Sequence, residues 1–199
     1  MTRAGDRTKS ERTKSEILDI AWDLIASRGA RVSMTEIASE ANISRQLLYV
    51  HFGSRGQLLI ALVRRADERF CIWEAFSKAE KITDPRLCLQ AVMAAWLEFV
   101  PKIRPVAIDL IRLRAEDKAA RDAWNDRMSE LHGFYANLMS RFEAQGALTK
   151  DLTAVQAADY IWATSSVQYW DLLVSERGWT ESDASHEIER AIISRIFSG

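Results

Sequence analysis

Residues 45–50, RQLLYV, set a guanidinium, an amide and a phenol among aliphatic side chains. Arg45 could pair bidentately with a guanine edge and Gln46 with an adenine edge, while Leu47 could meet a thymine methyl. At 100° per residue, Gln46 and Val50 point away from Leu48 and Phe52, with Leu47 and Tyr49 flanking and Arg45 in the first turn. An outward face of Arg, Gln, Leu, Tyr and Val suits a groove better than water.

Two short helices must position that face. Ser33-Met34-Thr35-Glu36 has the S-x-x-E form of a capping box, so a helix begins near Met34. Ile37 and Ala41 share one side of it, and Asn42 is among the few non-glycine residues that enter the left-handed region, so the helix stops at Ala41 or Asn42. Ile43 can plug the turn. Ser44 is a good N-cap for a second helix that turns Leu48 and Phe52 inward at i, i+4 spacing. Two helices joined by about three residues form a helix-turn-helix, whose second helix lies in the major groove with its N-terminal residues at the base edges. Ordinary packing of two capped amphipathic helices would leave the same local pattern.

Ile37-Ala38, Ala41-Asn42-Ile43-Ser44, Leu48-Tyr49-Val50-His51-Phe52 and Ser54-Arg55-x-x-Leu58 resemble, in residue type and spacing, the DNA-binding signature of the tetracycline-repressor (TetR) family. The resemblance covers about fifty residues. It implies that Ser33 stands where a threonine commonly contacts phosphate, that Tyr49 touches the DNA backbone, and that Arg55 stands where a lysine caps that contact. Thr35, Ser44 and His51 complete the candidate DNA-contacting set with Arg45, Gln46, Leu47 and Val50. Asn42 replaces a usual glycine, Leu47 a common threonine or serine, and Gly56 a common glutamate or other helix former. The change at Leu47 bears on base preference.

At 199 residues and 48% hydrophobic content the chain can bury a substantial core, as one domain or two small ones. The net charge of −1 argues against a non-specific polycation. Through residue 60 there are nine Lys/Arg against seven Asp/Glu, and beyond it 18 against 21. Residues 1–14 alone carry Arg3, Arg7, Lys9, Arg12 and Lys14 against Asp6 and Glu11, and read either as a disordered basic arm able to follow phosphates or as a solvated tail. No apolar run reaches signal-peptide or membrane-span length, so a cytoplasmic protein without a membrane partner is expected. Cys71 and Cys88 fall in apolar helical patterns and are expected to be buried free thiols; they make no metal signature.

Three prolines, eight glycines and no convincing strand alternation predict an all-α fold of about nine helices. The first helix spans about Ser10 to Arg28, buries Ile17, Ala21, Leu24 and Ile25, and ends at Gly29. It closes a three-helix head. The fourth spans Ser54 to about Ala79 and links a DNA-binding domain, residues 1–57, to a ligand-binding and dimerisation domain, residues 58–199. Pro85 opens an apolar helix to Phe99, Pro101 and Pro105 break the chain, and a short helix follows from Val106 to Glu116. Trp124, Met128, Leu131, Tyr135, Leu138 and Phe142 repeat at threes and fours along Lys118 to Gln145, ahead of Gly146. Thr153 and Gln156 form a second capping box, opening a helix expected to reach Gly178, and the last helix starts behind Thr180.

The resemblance implies a homodimer through the last two long helices. Ala157, Ala158, Ala163, Ser165 and Ser166 offer close approach there, and Ile188, Ala191, Ile192, Ile193 and Ile196 offer apolar area; a purely intramolecular core is the alternative. A dimer is also what a palindromic double-stranded site requires, with recognition helices about 34 Å apart. Seven tryptophans are many for this length. Trp96, Trp124, Trp162, Met93, Phe99, Met128, Tyr135 and Tyr169 could wall a small-molecule pocket, with Asp109, Arg112, His132 and Gln168 as polar groups; each aromatic could equally be core. The resemblance further implies a small-molecule effector that shifts the linking helix. No phosphate loop, dinucleotide fingerprint, nucleophile elbow or zinc pair is present, so neither an enzyme nor a cofactor is expected. Repressor and activator both remain compatible with the head.

Overall fold

The computed structural model describes residues 3–28 and 32–197, apart from the side chains of residues 3–11, 119 and 123. All regular structure among the described residues is helical: α1 (Arg3–Arg28), α2 (Met34–Glu40), α3 (Arg45–Phe52), α4 (Arg55–Arg69), α5 (Ile72–Ala79), α6 (Pro85–Leu113), α7 (Lys118–Ala144), α8 (Ala154–Thr164), α9 (Val167–Asp171) and α10 (Glu181–Ile196). A π-helical segment, Leu172–Glu176, follows α9. The chain divides into two compact units, one made of the chain through Ala66 with Pro105–Trp124, the other of Asp67–Arg104 with the chain from Asn125 onward. None of the described helices is long and apolar enough to cross a membrane.

In the first unit α2 packs against α1 and α3. The stripe Ile17, Ala21, Leu24 and Ile25 is buried as its spacing predicts, together with Ile37, Leu48, Phe52, Leu58, Leu59 and Leu62. The helix begins earlier than expected, because the residues read as a disordered arm are helical from Arg3. Arg12 pairs with Glu16 one turn on, and the Lys14 ammonium lies 5.4 Å from the centre of the Phe52 ring, so this polar stretch gains local and tertiary support. The side chains of Arg3, Asp6, Arg7, Lys9 and Glu11, and all of Gly29, lie outside the described residues.

The second unit is built around aromatic side chains. Phe76 stacks on Phe134 at 4.6 Å and 22°, and Trp73, Trp96 and Tyr135 meet this pair at their edges or at a tilt. Asp67 is buried because Arg127 meets its carboxylate at 2.6 Å. The same guanidinium lies 5.4 Å from the Trp73 ring centre and also bonds the rim residue Glu130 at 2.6 Å.

Three further helix boundaries depart from the sequence expectation. The helix expected over Ser54 to Ala79 is interrupted at Phe70 and Cys71, where Cys71 takes φ 50°. Left-handed backbone costs a non-glycine residue about 1–2 kcal/mol. It is offset by a change of phase: Leu59, Leu62 and Ala66 are buried before the break, and Ile72, Phe76 and Ala79 after it. Cys71 is therefore exposed, contrary to expectation, while Cys88 is buried.

Conversely, Pro101 and Pro105 do not break the chain, since α6 runs through both. Each proline removes one intrahelical bond and strains the preceding turn, at about 3 kcal/mol or more. Val100, Ile103, Val106, Ala107 and Leu110 are all buried on that stretch, and full burial of a Val, Ile or Leu contributes roughly 1.5–3 kcal/mol each.

The helix opened by the Thr153 and Gln156 box ends at Thr164 rather than near Gly178. Trp96 Nε1 donates to the Ser165 carbonyl at 2.7 Å, satisfying an acceptor that the helix end releases, and the Ser166 hydroxyl caps α9 through the Tyr169 amide. Past α9 the π-helical turns close with the Arg177 amide on the Leu172 carbonyl. There the Arg104 guanidinium holds the Asp171 carboxylate at 2.5 Å and the Ser175 hydroxyl at 2.6 Å.

Breaking the Arg127–Asp67 pair would take a charged partner from a buried carboxylate. Arg127→Ala is expected to lower unfolding free energy by about 3 kcal/mol. Glu130→Gln, on the exposed rim, should cost less than about 1 kcal/mol. Urea unfolding midpoints of the two variants, at unchanged slope, measure the difference.

Candidate nucleic-acid interface

The head is set by its caps. The Ser33 hydroxyl accepts from the Glu36 amide at 3.2 Å and donates to the Glu36 carboxylate at 2.7 Å, and that carboxylate accepts from the Ser33 amide at 2.8 Å. These bonds hold the Glu36 carboxyl below its usual pKa of 4.5. Asn42 takes φ 52° immediately after the last turn of α2, as its type predicts. The Ser44 hydroxyl then accepts from the Leu47 amide at 3.1 Å and starts α3.

With Leu48 and Phe52 buried, α3 turns Arg45, Gln46, Leu47, Tyr49 and Val50 outward. Val50 is 74% exposed, an unusual setting for a β-branched aliphatic with no partner. The Arg45 guanidinium lies 5.5 Å from the Tyr49 ring centre, one turn away, so the charge and the phenol stand together on the open side. Thr35 is exposed in the first turn of α2, while His51 is half-buried against Phe52.

Arg55 is placed differently from the phosphate-side role that the family resemblance implies. Its guanidinium donates to the Asp109 carboxylate at 2.6 and 3.1 Å and also to the Val32 carbonyl, just before the Ser33 cap. Beside it, a side chain on Gly56 would meet the Asp117 carboxylate at 2.8 Å and the Ala120 methyl at 2.9 Å, so the start of α4 fits against the Asp117 cap of α7 only as glycine. The departure at Gly56 thus has a packing reason. Asp109, a candidate ligand group, is occupied within this unit, Arg112 is exposed, and Trp124 is buried with the Arg114 guanidinium 6.0 Å from its ring centre.

In the other unit Met93, Trp96, Phe99 and Tyr135 are core side chains. Burial raises the Tyr135 phenol above its ordinary pKa. Gln168 is half-buried and Tyr169 exposed. Met128, His132 and Trp162 come together in a pocket of about 540 Å³ between α7 and α8, which Asn125, Ser129, Gly133 and Asp159 also line. Sequence reading missed these last four. For three of them a signal was present on α7, where 125, 129 and 133 recur at one-turn spacing beside Met128 and His132.

Two outcomes test this geometry. Arg55→Ala should destabilise the protein by roughly 2–3 kcal/mol, below the figure for a fully buried pair because both side chains keep some solvent contact. Arg55→Lys should not restore it, because an ammonium cannot reproduce the fork to two acceptors; calorimetric melting measures both. For Glu36, a depressed folded pKa means that the cap contributes fully above pH 4.5 and is lost as pH falls through the folded value. The Ser33 amide resonance should titrate with a midpoint below 4.5, and a midpoint at or above that value would contradict the box.

Comparison with known proteins agrees with this head. The profile of the bacterial regulatory proteins, tetR family, matches residues 17–62, from α1 into α4. The transcriptional repressor BepR of Brucella suis is 27% identical over 184 residues, covering 87% of each chain. The transcriptional activator FasR of Mycolicibacterium smegmatis is 28% identical over 99 residues, 49% of this chain and 45% of its own, so that match spans less than half of the activator. Among solved structures, a protein of Saccharomonospora viridis described as a transcriptional regulator, in complex with choline, superimposes with a TM-score of 0.78 at 22% identity over 95% of this chain and all of that one, a likeness of fold. A capped helix-turn-helix that matches the tetR-family profile over residues 17–62, within an all-helical chain, supports a DNA-binding transcriptional regulator whose head is similar to that family's.

Proposed function

We propose that the protein is a homodimeric repressor that reads a palindromic operator with α3 and leaves it when a small hydrophobic or aromatic molecule binds. In this reading residues 1–57 are the DNA-binding domain and residues 58–199 hold the effector and the second subunit. The observation that carries it is the outward face of α3, where Arg45, Gln46, Leu47, Tyr49 and Val50 have no intramolecular core to serve. Ser33, Thr35, Ser44 and His51 frame that face and act on the phosphate side or through the caps, and Arg55 acts from behind them through the Val32 carbonyl ahead of the Ser33 cap. DNA as the partner places the protein in the cytoplasm, and no catalytic step is assigned to it.

Support for a dimer comes from other residues than the sequence suggested. Ala157, Ala158, Ser165, Ile188, Ile192, Ile193 and Ile196 are buried within the chain itself. Val155, Tyr169, Leu172 and Trp179 are instead large, apolar and exposed on the last third of the chain. Such residues favour burial by a second copy. The similarity to BepR over most of both chains favours repression. Activation is the second reading, favoured by the match to FasR over 49% of this chain. The choline in the Saccharomonospora structure supports a small-molecule effector here.

Fluorescence anisotropy with DNA from upstream of the gene should show salt-sensitive, saturable binding, weakened by Arg45→Ala by about 10- to 100-fold, the equivalent of ~1–3 kcal/mol for a bidentate base contact. Binding by Arg45→Ala and Tyr49→Phe equal to the parent would remove the reading of α3. An effector should lower affinity about 5–150-fold, for a coupling of roughly 1–3 kcal/mol. Transcription of the adjacent gene should rise on deletion; a fall would select the activator.

A further inference from the structure

The outward face of α3 is divided by chemistry. Arg45 and Tyr49 stand together on one edge, with the guanidinium 5.5 Å from the ring centre. At 100° per residue, the point opposite the buried pair Leu48 and Phe52 falls on Val50, between Gln46 on one side and Leu47 on the other. Val50 is the most exposed large apolar side chain among the described residues, at 74%, and Leu47 is exposed beside it at 39%.

The core of the first unit does not use either residue, since both are exposed. A β-branched residue is also a weaker helix former than alanine, because its χ1 is restricted. What would bury the pair lies outside the chain, and α3 is the helix that a helix-turn-helix sets in the major groove. One group on the base edges of that groove is apolar, the C5 methyl of thymine. Elsewhere the edges are donors and acceptors, and an aliphatic side chain pressed on them would remove water without replacing a hydrogen bond. Against a methyl the same side chain buries apolar area on both partners. Gln46, one turn before Val50 on the same line of the helix, can pair bidentately with adenine. Leu47 and Val50 are about 4.5 Å apart along the helix axis, close to the base-pair spacing of roughly 3.4 Å, so they suit neighbouring pairs.

We infer that Val50 and Leu47 are specificity-determining residues that select thymine, each against the C5 methyl of one of two neighbouring A·T pairs, with Gln46 on an adenine of that step. Arg45, on the Tyr49 edge, reads outside the step. This selection rests on the operator-reading role proposed for α3, and the two fail separately: loss of DNA binding altogether would end both, whereas binding that ignores thymine methyls would end only this one.

Full-length protein is used to enrich duplexes from random-sequence DNA, and the tightest-binding duplex is remade with single thymines replaced by deoxyuridine, which removes the methyl and keeps every base hydrogen-bonding group. Two neighbouring A·T pairs are expected in each half-site, and uracil at either thymine should weaken binding about fourfold in fluorescence anisotropy, the worth of one buried methyl. In Val50→Ala, uracil at one of these positions should cost less than about twofold, and in Leu47→Ala the same should hold at the other. Cytosine in place of the thymine that Val50 meets should lose affinity, and 5-methylcytosine should recover about fourfold of it. Each variant should melt within about 2 °C of the parent, which separates lost recognition from a damaged head. The selection is overturned if no thymine gives more than about a twofold loss as uracil, or if the loss in both variants equals that in the parent, which would assign it to DNA shape or to another residue. It is also overturned if Val50→Ala alters the sedimentation of DNA-free protein and leaves the uracil effect intact, because a second copy would then cover α3.

Discussion

One guanidinium holds the first unit in register. Arg55 lies on the first residue of α4, yet its bonds go to the Val32 carbonyl before α2 and to Asp109 on α6. Without it, the carbonyl ahead of the Ser33 box and a half-buried carboxylate would both lose their donor. The recognition helix follows α2 after a short turn, so its placement depends on how that turn is seated. A long, planar, permanently charged side chain suits this task because one fork can satisfy acceptors from two elements at fixed angles. Gly56 completes the arrangement by letting the backbone of α4 come close to Asp117 and Ala120.

Helix ends in this protein are decided by local chemistry wherever a cap is available. Ser33, Ser44, Thr153, Ser166 and Thr180 each accept from an amide in the first turn that follows. Free N–H groups at a helix start would otherwise be paid for in desolvation, and a hydroxyl one residue ahead supplies the acceptor. Two of the five have the reciprocal glutamate or glutamine bond. The α3 face follows directly, since Ser44 sets where the helix starts and hence which residues fall beside Leu48 and Phe52 and which fall opposite.

The buried polar groups of the second unit show the complementary rule. Asp67 is tolerated because Arg127 reaches it, and the Ser165 carbonyl because Trp96 does. Both partners are far away in sequence, so no local pattern announces them. The α7 side chains read as a possible ligand wall divide once packing is seen: Trp124 and Tyr135 are core, while Met128 and His132 one turn apart border open space with Trp162.

The sequence by itself determined the helical class, the two capping boxes, the left-handed Asn42, the buried stripe of α1 and the outward face of α3. These depend on contacts within a turn or two, where residue type and spacing contain the whole cause. Only the tertiary structure decided that α6 passes through Pro101 and Pro105, that the chain breaks at Cys71 and Ser165, that Arg55 turns inward to Asp109, and that the four isoleucines of α10 face the core of the chain itself. In each of those cases a local cost of a few kcal/mol, or a local indifference, was outweighed by burial or by a partner between roughly thirty and seventy residues away. Helical periodicity contains no record of which side of an apolar stripe will meet which neighbour.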